Sequence, residues 1–384
     1  MKHTLIAFLS ILIVTNALTQ SIDSITLSKL RLNFTVPDMP AFKSLNTEPS
    51  NLLKPSTPMA FAVTISELYQ DRKFLLPKAF ALEISPSLLL NANKPPSQLK
   101  EYAKRAVANS FRISIGTSAD SILNSSARNL GVGFRISLIN KGDLATDTNA
   151  HKKISPLLAR FRKNVRQISL LKFADLKGID RKGIDWDTLI FDHGKNQKEF
   201  EEYLANEEES SQKMFLEDFR KLKEEYKKEN WNATKLDIAL SILGTSSDSL
   251  FGNLKFNRAD LWITWAQKIG NKSQLLLGLN ARSVNNLTDT LDSTSKSSFS
   301  NISIPARFLI GTNRVKGFAE AQYSYLGELK HHKFFFSLGA EVNIIDGVWV
   351  NLTGGFDENT TLKKSQFITN FNLKITLPEN FKLF

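Results

Sequence analysis

Ionisable side chains recur in the polar phase of otherwise greasy stretches of this chain: Glu83, Arg112, Arg135, Lys235, Asp237, Arg258, Asp260, Arg282, Arg307, Glu320, Glu341 and Lys374. Seven are basic and five acidic. Brought to one surface, they would line a water path that mildly favours anions, or pair across neighbouring strands and close it. The sequence leaves both outcomes open. A second set, Arg72, Lys73, Lys330, Lys333, Lys363 and Lys364, falls at loops and strand ends, where cations can make charge-assisted contacts with phosphates. The remaining chemistry is thin. His331 and His332 lie near Ser324 and Ser337 in sequence, the residue types of a hydrolytic Ser–His pair. Two adjacent histidines in a polar loop are more often simply solvated. With no GxSxG elbow, HExxH, P-loop or cysteine, nothing calls for a metal, a cofactor or catalysis, and a lipid hydrolase is the weakest reading.

The elements that must position these charges are strands. FFFSLGAEVNIIDGVWVNLTGGF, residues 334–356, puts Phe334, Phe336, Leu338, Ala340, Val342 and Ile344 on one face and, after a turn, Val348, Val350, Leu352 and Phe356 on the same face. A three-residue loop, Ile345-Asp346-Gly347, would set Ile344 opposite Val348 and keep both rows in phase, with Gly347 supplying positive φ. KSQFITNFNLKITL repeats the alternation near the C-terminus. So do VKGFAEAQYSYLG, NISIPARFLIG, SQLLLGLNARS, RADLWITWAQ and TKLDIALSIL, and nearer the N-terminus AFAVTISEL, KAFALEISPSLLL, SFRISIGTS and GVGFRISLI. About twelve strands result.

An alternating strand suits a soluble sandwich as well as a lipid-facing barrel, so loop lengths and aromatics arbitrate. Connections at IGNK, GTNR and IIDG are short and fall at one end; those at TSSDSLFG, NNLTDTLDSTSKSSFS, LGELKHHK and DENTTLKKS are longer and fall at the other. That asymmetry is the one expected of outer-membrane barrels. Tyr325, Phe334, Phe356, Phe367 and Phe80 gather at the long-loop ends and Trp265 and Phe61 at the short-turn ends, as interfacial girdles do; Phe308 and Phe371 come out mid-membrane. No apolar run is long enough for a spanning helix. Lys2, the apolar run 5–14 and the small residues Ala17 and Thr19 read as a cleavable signal peptide, 1–19. Export makes the net charge of +12 a match for anionic lipid rather than nucleic acid. The basic loop residues then become candidates for contact with lipopolysaccharide phosphates.

Two regions break the β pattern. Residues 20–57, with Pro37, Pro40, Pro49 and Pro55, carry no strand alternation and form either a periplasmic segment or an internal plug. Residues 141–232 read as a helical insertion on the short-turn, periplasmic side. Ser155 as N-cap and Pro156 at the first helical position would start a helix with Leu157, Leu158, Phe161, Val165 and Ile168 on one face. A Lys/Glu-rich helix would follow, with Phe215, Phe219, Leu222 and Tyr226 aligned. The insertion could cap the barrel mouth, lie on an anionic leaflet through Arg160, Arg162, Lys163 and Arg166, or dock a periplasmic protein.

MPAF, KPSTPMAFA and PKAFALEISP, within residues 39–86, resemble the N-terminal region of poorly characterised Bacteroidetes outer-membrane β-barrels. The resemblance covers about an eighth of the chain and implies a barrel and a location but no activity. Phe384 also resembles the terminal Phe of many such barrels, although Pro378 separates it from the last strand. The expectation is therefore an all-β, transmembrane antiparallel barrel of about twelve strands in a Gram-negative outer membrane. Strands 1–4 would lie in 58–140 and strands 5–12, with a tail, in 233–384. Its role would be a constricted or gated channel, or an accessory of envelope assembly; the alternative is a non-transporting scaffold whose insertion docks a partner.

Overall fold

The computed structural model describes residues 32, 38–45, 50–55, 60–63, 69–70, 73–74, 79–90, 99–119, 128–185, 190–191, 194–206, 220–246, 254–288, 296–327, 330–345, 347–361 and 363–376. The signal-peptide reading, Arg72, Phe215, Phe219, Pro378 and Phe384 fall outside them. Twelve strands close into one antiparallel barrel. In chain order the strands are β1 (Ala60–Val63), β2 (Tyr69–Gln70), β3 (Lys73–Phe74), β4 (Ala79–Ile84), β5 (Arg112–Ala119), β6 (Arg128–Asn140), β7 (Ile184–Asp185), β8 (Ile190–Phe191), β9 (Lys235–Ser246), β10 (Lys255–Ile269), β11 (Ser273–Thr288), β12 (Lys296–Gly311), β13 (Val315–Leu326), β14 (His331–Ile345), β15 (Val348–Asn359) and β16 (Lys364–Thr376). β2–β3 and β7–β8 are separate two-stranded sheets. Closure runs through β1, which pairs with β16 (Val63 opposite Leu373) and with β4 (Val63 opposite Phe80).

Polarity across this wall is inverted relative to a soluble protein. Leu338, Ile304 and Leu277 are about half exposed, at 57%, 56% and 47%. The charged row behind them is buried, with Glu341 at 2% and Arg307 at 3%. A soluble barrel presenting that much contiguous apolar surface would aggregate. In hydrocarbon the same surface is solvated, and a closed barrel leaves no backbone group unpaired at its edges. The wall is that of a transmembrane barrel, and among the described residues no helix is long and apolar enough to span a membrane.

Four local expectations need correction. The stretch KAFALEISPSLLL is strand only to Ile84, after which Pro86–Leu90 is helical; Pro86 has no N–H for a ladder but suits a first helical turn. Helices Leu99–Lys104 and Ala106–Asn109 follow before β5, so the described part of the β4–β5 connection, at the short-turn end, is largely helical. The β14–β15 hairpin pairs Ile345, not Ile344, with Val348, and the extra residue is absorbed between Asn343 and Ile345. The bulge does what the longer loop was expected to do, keeping both apolar rows outside, and Gly347 takes φ 85° as the turn requires. The fourth correction concerns the insertion. Its long helix runs Thr148–Lys177 through Pro156, and Asp147, not Ser155, caps the start by accepting the Asn149 N–H at 2.8 Å.

Of the stripe expected on that helix, Ile168 is the residue whose side chain is described. Ile168 is exposed, whereas Leu170, Phe173 and Ala174 pack with Ile184 and with Phe200 of the helix Gly194–Asn206. Arg166 pairs with Glu201 and Lys177 with Glu199 across the two helices. The insertion leaves β6 and rejoins at β9, the same end of the barrel as the short 270–272, 312–314 and 346–347 connections.

Candidate functional site: the bore and the loop inside it

The inner row collects the charges that the sequence assigned to it. Eleven of the twelve are buried and Arg282 is nearly so, its side chain 13% exposed. Neighbouring strands pair most of them: Arg112 faces Glu83 at 3.5 Å, Arg135 faces Asp237 at 4.0 Å, and Asp260 receives Arg282 of β11 at 2.6 Å as well as Arg258 of its own strand at 2.7 Å. Arg307 joins Glu320 and reaches Glu341 at 3.4 Å. Of the two alternatives left open above, cross-strand pairing is the one seen. Lys235 and Lys374 are buried on the same row, at 4% and 0% exposure.

Among the described residues, what fills the bore is 38–45 and 50–55. Asp38 to Leu45 enters as a short helix, Pro40–Ser44, that is buried throughout. It lies against β5 and β6, where the inner row is Ser114, Gly116, Gly131 and Gly133. A side chain at Gly133 would overlap Pro40 and Ala41, and one at Gly131 would crowd Ala41 and Ser44, so these glycines make the groove that admits the helix. Ser114 Oγ accepts the Ala41 N–H at 3.1 Å, and Met39 and Phe42 pack on Ala81.

The returning limb, 50–55, lies against the opposite sector of wall. Asn51 N–H donates to Gln322 at 2.8 Å, and the Trp262 indole donates to the Asn51 carbonyl at 3.0 Å. Thr264 donates to the Leu53 carbonyl at 2.7 Å, and Leu52 packs with Ala266, Leu276, Leu309 and Phe318. The two feet of the loop meet: Asp38 Oδ2 accepts the Lys54 N–H at 2.8 Å. Each foot is also tied to the wall. Arg135 donates to the Asp38 carbonyl oxygen at 2.7 Å, Lys374 stands 3.6 Å from Asp38 Oδ1, and Lys54 Nζ donates to Glu341 at 2.6 Å. Compact loops whose ends meet in this way are a recognised unit of structure.

At the short-turn mouth the insertion contributes Trp231. The Lys316 ammonium lies 5.2 Å from its ring and 4.7 Å from that of Trp349, and all three residues are buried. Asn232 donates to the carbonyls of Gly270 and Ser273, and Gln274 to that of Ala233, so the end of the insertion is sewn to the β10–β11 turn. Asp38, Lys54, Lys316, Trp231, Trp262 and Trp349 did not figure among the expected site residues. Two of them carried a readable signal: Trp262 and Trp349 are large aromatics in the polar phase of their strands, where only something packed inside the bore would cover them.

The second predicted set divides. Lys330, Lys363 and Lys364 are exposed at the long-loop rim, the first two with left-handed backbones at φ 50°. Lys333 instead shares the inner row and lies 3.9 Å from Asp357. Lys73 belongs to β3, and its side chain is not among those described. Beside this rim Tyr325, Phe334, Phe356 and Phe367 form an outward aromatic patch, with His332 bonded to Tyr323 Oη at 2.8 Å. Ser324 and Ser337 are buried on the inner row. His332 and either serine therefore lie on opposite faces of the wall, and these residues assemble no outer-wall hydrolytic pair.

No protein-family model matches the chain, and no curated protein matches its sequence. Among solved structures it is similar to the beta domain of the Bordetella autotransporter BrkA, with 6% identity, TM-score 0.29, and coverage of 78% of this chain and 83% of that one. It is also similar to the outer membrane channel DcaP of Acinetobacter baumannii, with 4% identity, TM-score 0.30, and coverage of 86% of this chain and 78% of that one. The barrel assignment rests on the strand pairing and the inverted polarity, an architecture that belongs to outer membranes of Gram-negative cells.

Proposed function

We propose that this chain is a gated channel of the outer membrane, closed in the state described by its own 38–55 loop. The observation that carries the proposal is how the loop is held. The contacts of its described residues to the wall are side-chain hydrogen bonds, ion pairs and small apolar clusters, and none of the described residues among 38–45 and 50–55 pairs into the barrel sheet. At roughly 1 kcal/mol net for each hydrogen bond, such a loop can leave while the ladder of the barrel stays whole. The wall also offers more polar groups than the loop uses. Among the described residues the Asp237 carboxylate, the Ser241 and Ser337 hydroxyls and the Trp349 indole N–H are buried without a hydrogen-bond partner, as suits a surface that water or solute meets once the loop moves.

Planar-bilayer recording tests this reading. The intact chain should show little steady current, and the Asp38→Asn, Lys54→Met double variant should show discrete openings. A steady porin-sized current from the intact chain refutes closure. Silence from a variant whose loop is demonstrably displaced favours the alternative, a non-transporting scaffold whose insertion docks a periplasmic protein. The exposed Leu176 and Ile168 on the long helix, at 72% and 41%, are what support that second reading.

We further infer that the exposed Lys330, Lys363 and Lys364, set beside the aromatic rim, contact lipopolysaccharide phosphates. Processing of residues 1–19 as a signal peptide and an origin in Bacteroidetes belong to the same proposal, supported by the N-terminal pattern and the Pro-Ala-Phe and Pro-Ser-Thr-Pro elements.

A further inference from the structure

We propose that the sector of inner wall from β10 to β13 is a binding track for extended peptides, on which the chain's own 50–55 limb lies as the resident occupant. The inference deepens the gated reading above and rests on it. Three bonds carry it, because each joins a wall side chain to a backbone group of the limb. Gln322 Oε1 accepts the Asn51 N–H at 2.8 Å, Trp262 Nε1 donates to the Asn51 carbonyl at 3.0 Å, and Thr264 Oγ1 donates to the Leu53 carbonyl at 2.7 Å. Residues two apart on β10 thus hold residues two apart on the limb, which runs alongside that strand in the same direction.

That spacing is how one edge of an extended chain is read. In an extended backbone the N–H and C=O groups of residues i and i+2 point to one side and those of i+1 to the other. The limb follows the rule. Its Leu52 and Lys54 N–H groups are taken not by the wall but within the loop, by Ser50 Oγ at 3.1 Å and Asp38 Oδ2 at 2.8 Å. Residues 50–55 contain no helix, strand or turn of their own. A closed barrel offers no free edge for strand addition, so side chains do here what an edge strand does elsewhere.

Side-chain pockets complete the track. Leu52 is seated among Ala266, Leu276, Leu309 and Phe318, and Leu53 packs with Ala239 and Trp262. Lys54 Nζ donates to Glu341 at 2.6 Å. An apolar pocket in the polar phase of the wall suits neither an inorganic ion nor a sugar, and withdrawal of the limb leaves it facing water. A peptide with two aliphatic residues followed by a cation refills the pockets and restores the backbone bonds. Because the track is open only when the limb has left, such a peptide shifts the population toward the displaced loop.

The test uses the full-length chain in detergent and the acetylated, amidated hexapeptide Ser-Asn-Leu-Leu-Lys-Pro, a copy of 50–55. The sequence holds no cysteine, so Ser44→Cys and Ser50→Cys, each at a buried position, give single maleimide sites that report departure of the two limbs. At ten times its dissociation constant for the displaced state, the peptide should speed labelling about tenfold. Maltose at the same concentration should not. Direct binding is read by anisotropy of the fluorescein-labelled hexapeptide on Gly133→Ala barrels, whose substitution meets the Pro40–Ser44 helix from β6, away from the track. There Thr264→Val and Trp262→Phe should each weaken the peptide about fivefold, as loss of one neutral hydrogen bond does, scored only on barrels with folded, heat-modifiable mobility. Rapid Ser44→Cys labelling of Gly133→Ala barrels without peptide binding overturns the track and leaves the gate standing. Undiminished binding by both track variants overturns readout of the backbone, and equal acceleration by maltose overturns the restriction to peptides. Slow labelling of Gly133→Ala barrels with no response to peptide overturns the gate, and the track with it.

Discussion

Gly133→Ala offers the sharpest test of the buried loop, because the added atom meets the loop and, on the wall, only the Ser114 hydroxyl. A Cβ at Gly133 would lie 2.5 Å from Ser114 Oγ, 2.7 Å from Pro40 Cβ and 2.8 Å from Ala41 N. The serine hydroxyl can rotate away, but in doing so it gives up the Ala41 N–H; the proline ring and the backbone nitrogen cannot yield unless the helix shifts. Overpacking costs about 1–3 kcal/mol and a lost hydrogen bond about 1 kcal/mol, so the seated loop is destabilised by roughly 2–4 kcal/mol. In the displaced state the Ser114 hydroxyl rotates away with no Ala41 N–H to give up, and the contacts with Pro40 and Ala41 are gone. At about 1.4 kcal/mol per factor of ten, the displaced population rises on the order of 30- to 1,000-fold. Maleimide labelling of Ser44→Cys in the Gly133→Ala background reads that population, and planar-bilayer openings read it independently. Gly354→Ala is the matched control: it lies on the outward row, and its Cβ would meet nothing closer than Phe367 Cζ at 3.7 Å. A Gly133→Ala chain that folds, labels no faster than its parent and stays silent would mean that the loop does not occupy this groove.

Trp231→Ala should loosen the insertion from the mouth, removing a buried ring at a local cost of about 3–5 kcal/mol; limited proteolysis within 141–232 should accelerate, while the heat-modifiable mobility of the barrel is unchanged. Lys330→Gln with Lys363→Gln should reduce the phosphate of co-purifying lipopolysaccharide without altering thermal stability in detergent, since both side chains are exposed. Equal phosphate content would remove the case for that contact. Burial, aided by the Asp147 carboxylate 2.9 Å away, pushes Tyr226 well above its ordinary value of 10.0. The fold thus favours the neutral phenol, so its contribution to stability is complete below pH 10 and drains away as pH rises above that. Tyr226→Phe should cost about 1.5–3 kcal/mol in docking of the insertion, as loss of a hydrogen bond to a charged group does, and should remove one late-ionising tyrosine from an alkaline absorbance titration.

Much of the wall was legible because a strand in lipid obeys one rule with a period of two. Leu338 and Glu341 could be assigned to opposite faces without knowing any neighbour, and the parity survived even at the β14–β15 turn, where the pairing was one residue off and a bulge restored the phase. The insertion was less legible. Its helices are visible in the sequence, but Ser155-Pro156 predicts a start where the helix is continuous, because an Asx cap at Asp147 makes a weaker pattern than Ser-Pro. Ile168, expected to face inward, is exposed for a related reason. Period 3.6 allows several apolar stripes around a long helix, and Phe200 on another helix decides which of them is buried.

The loop was the least legible part, and the reason bears on its role. Ala41, Leu53 and Asn51 bond to side chains from strands far away in sequence, Ser114, Thr264 and Gln322, and partners of that kind leave no periodicity in the segment itself. What the sequence did carry was the imprint of the loop on the wall. Gly131 and Gly133 stand two apart on an inner row that elsewhere holds Arg135, and Trp262 stands on one that holds Asp260 and Thr264. A bare lumen would need neither the missing side chains nor the indole. A wall shaped to a segment that its described residues hold only by side chains, with charged latches at its feet, is the seat the proposed gate requires, and whether it empties is what the labelling and the planar-bilayer recordings decide.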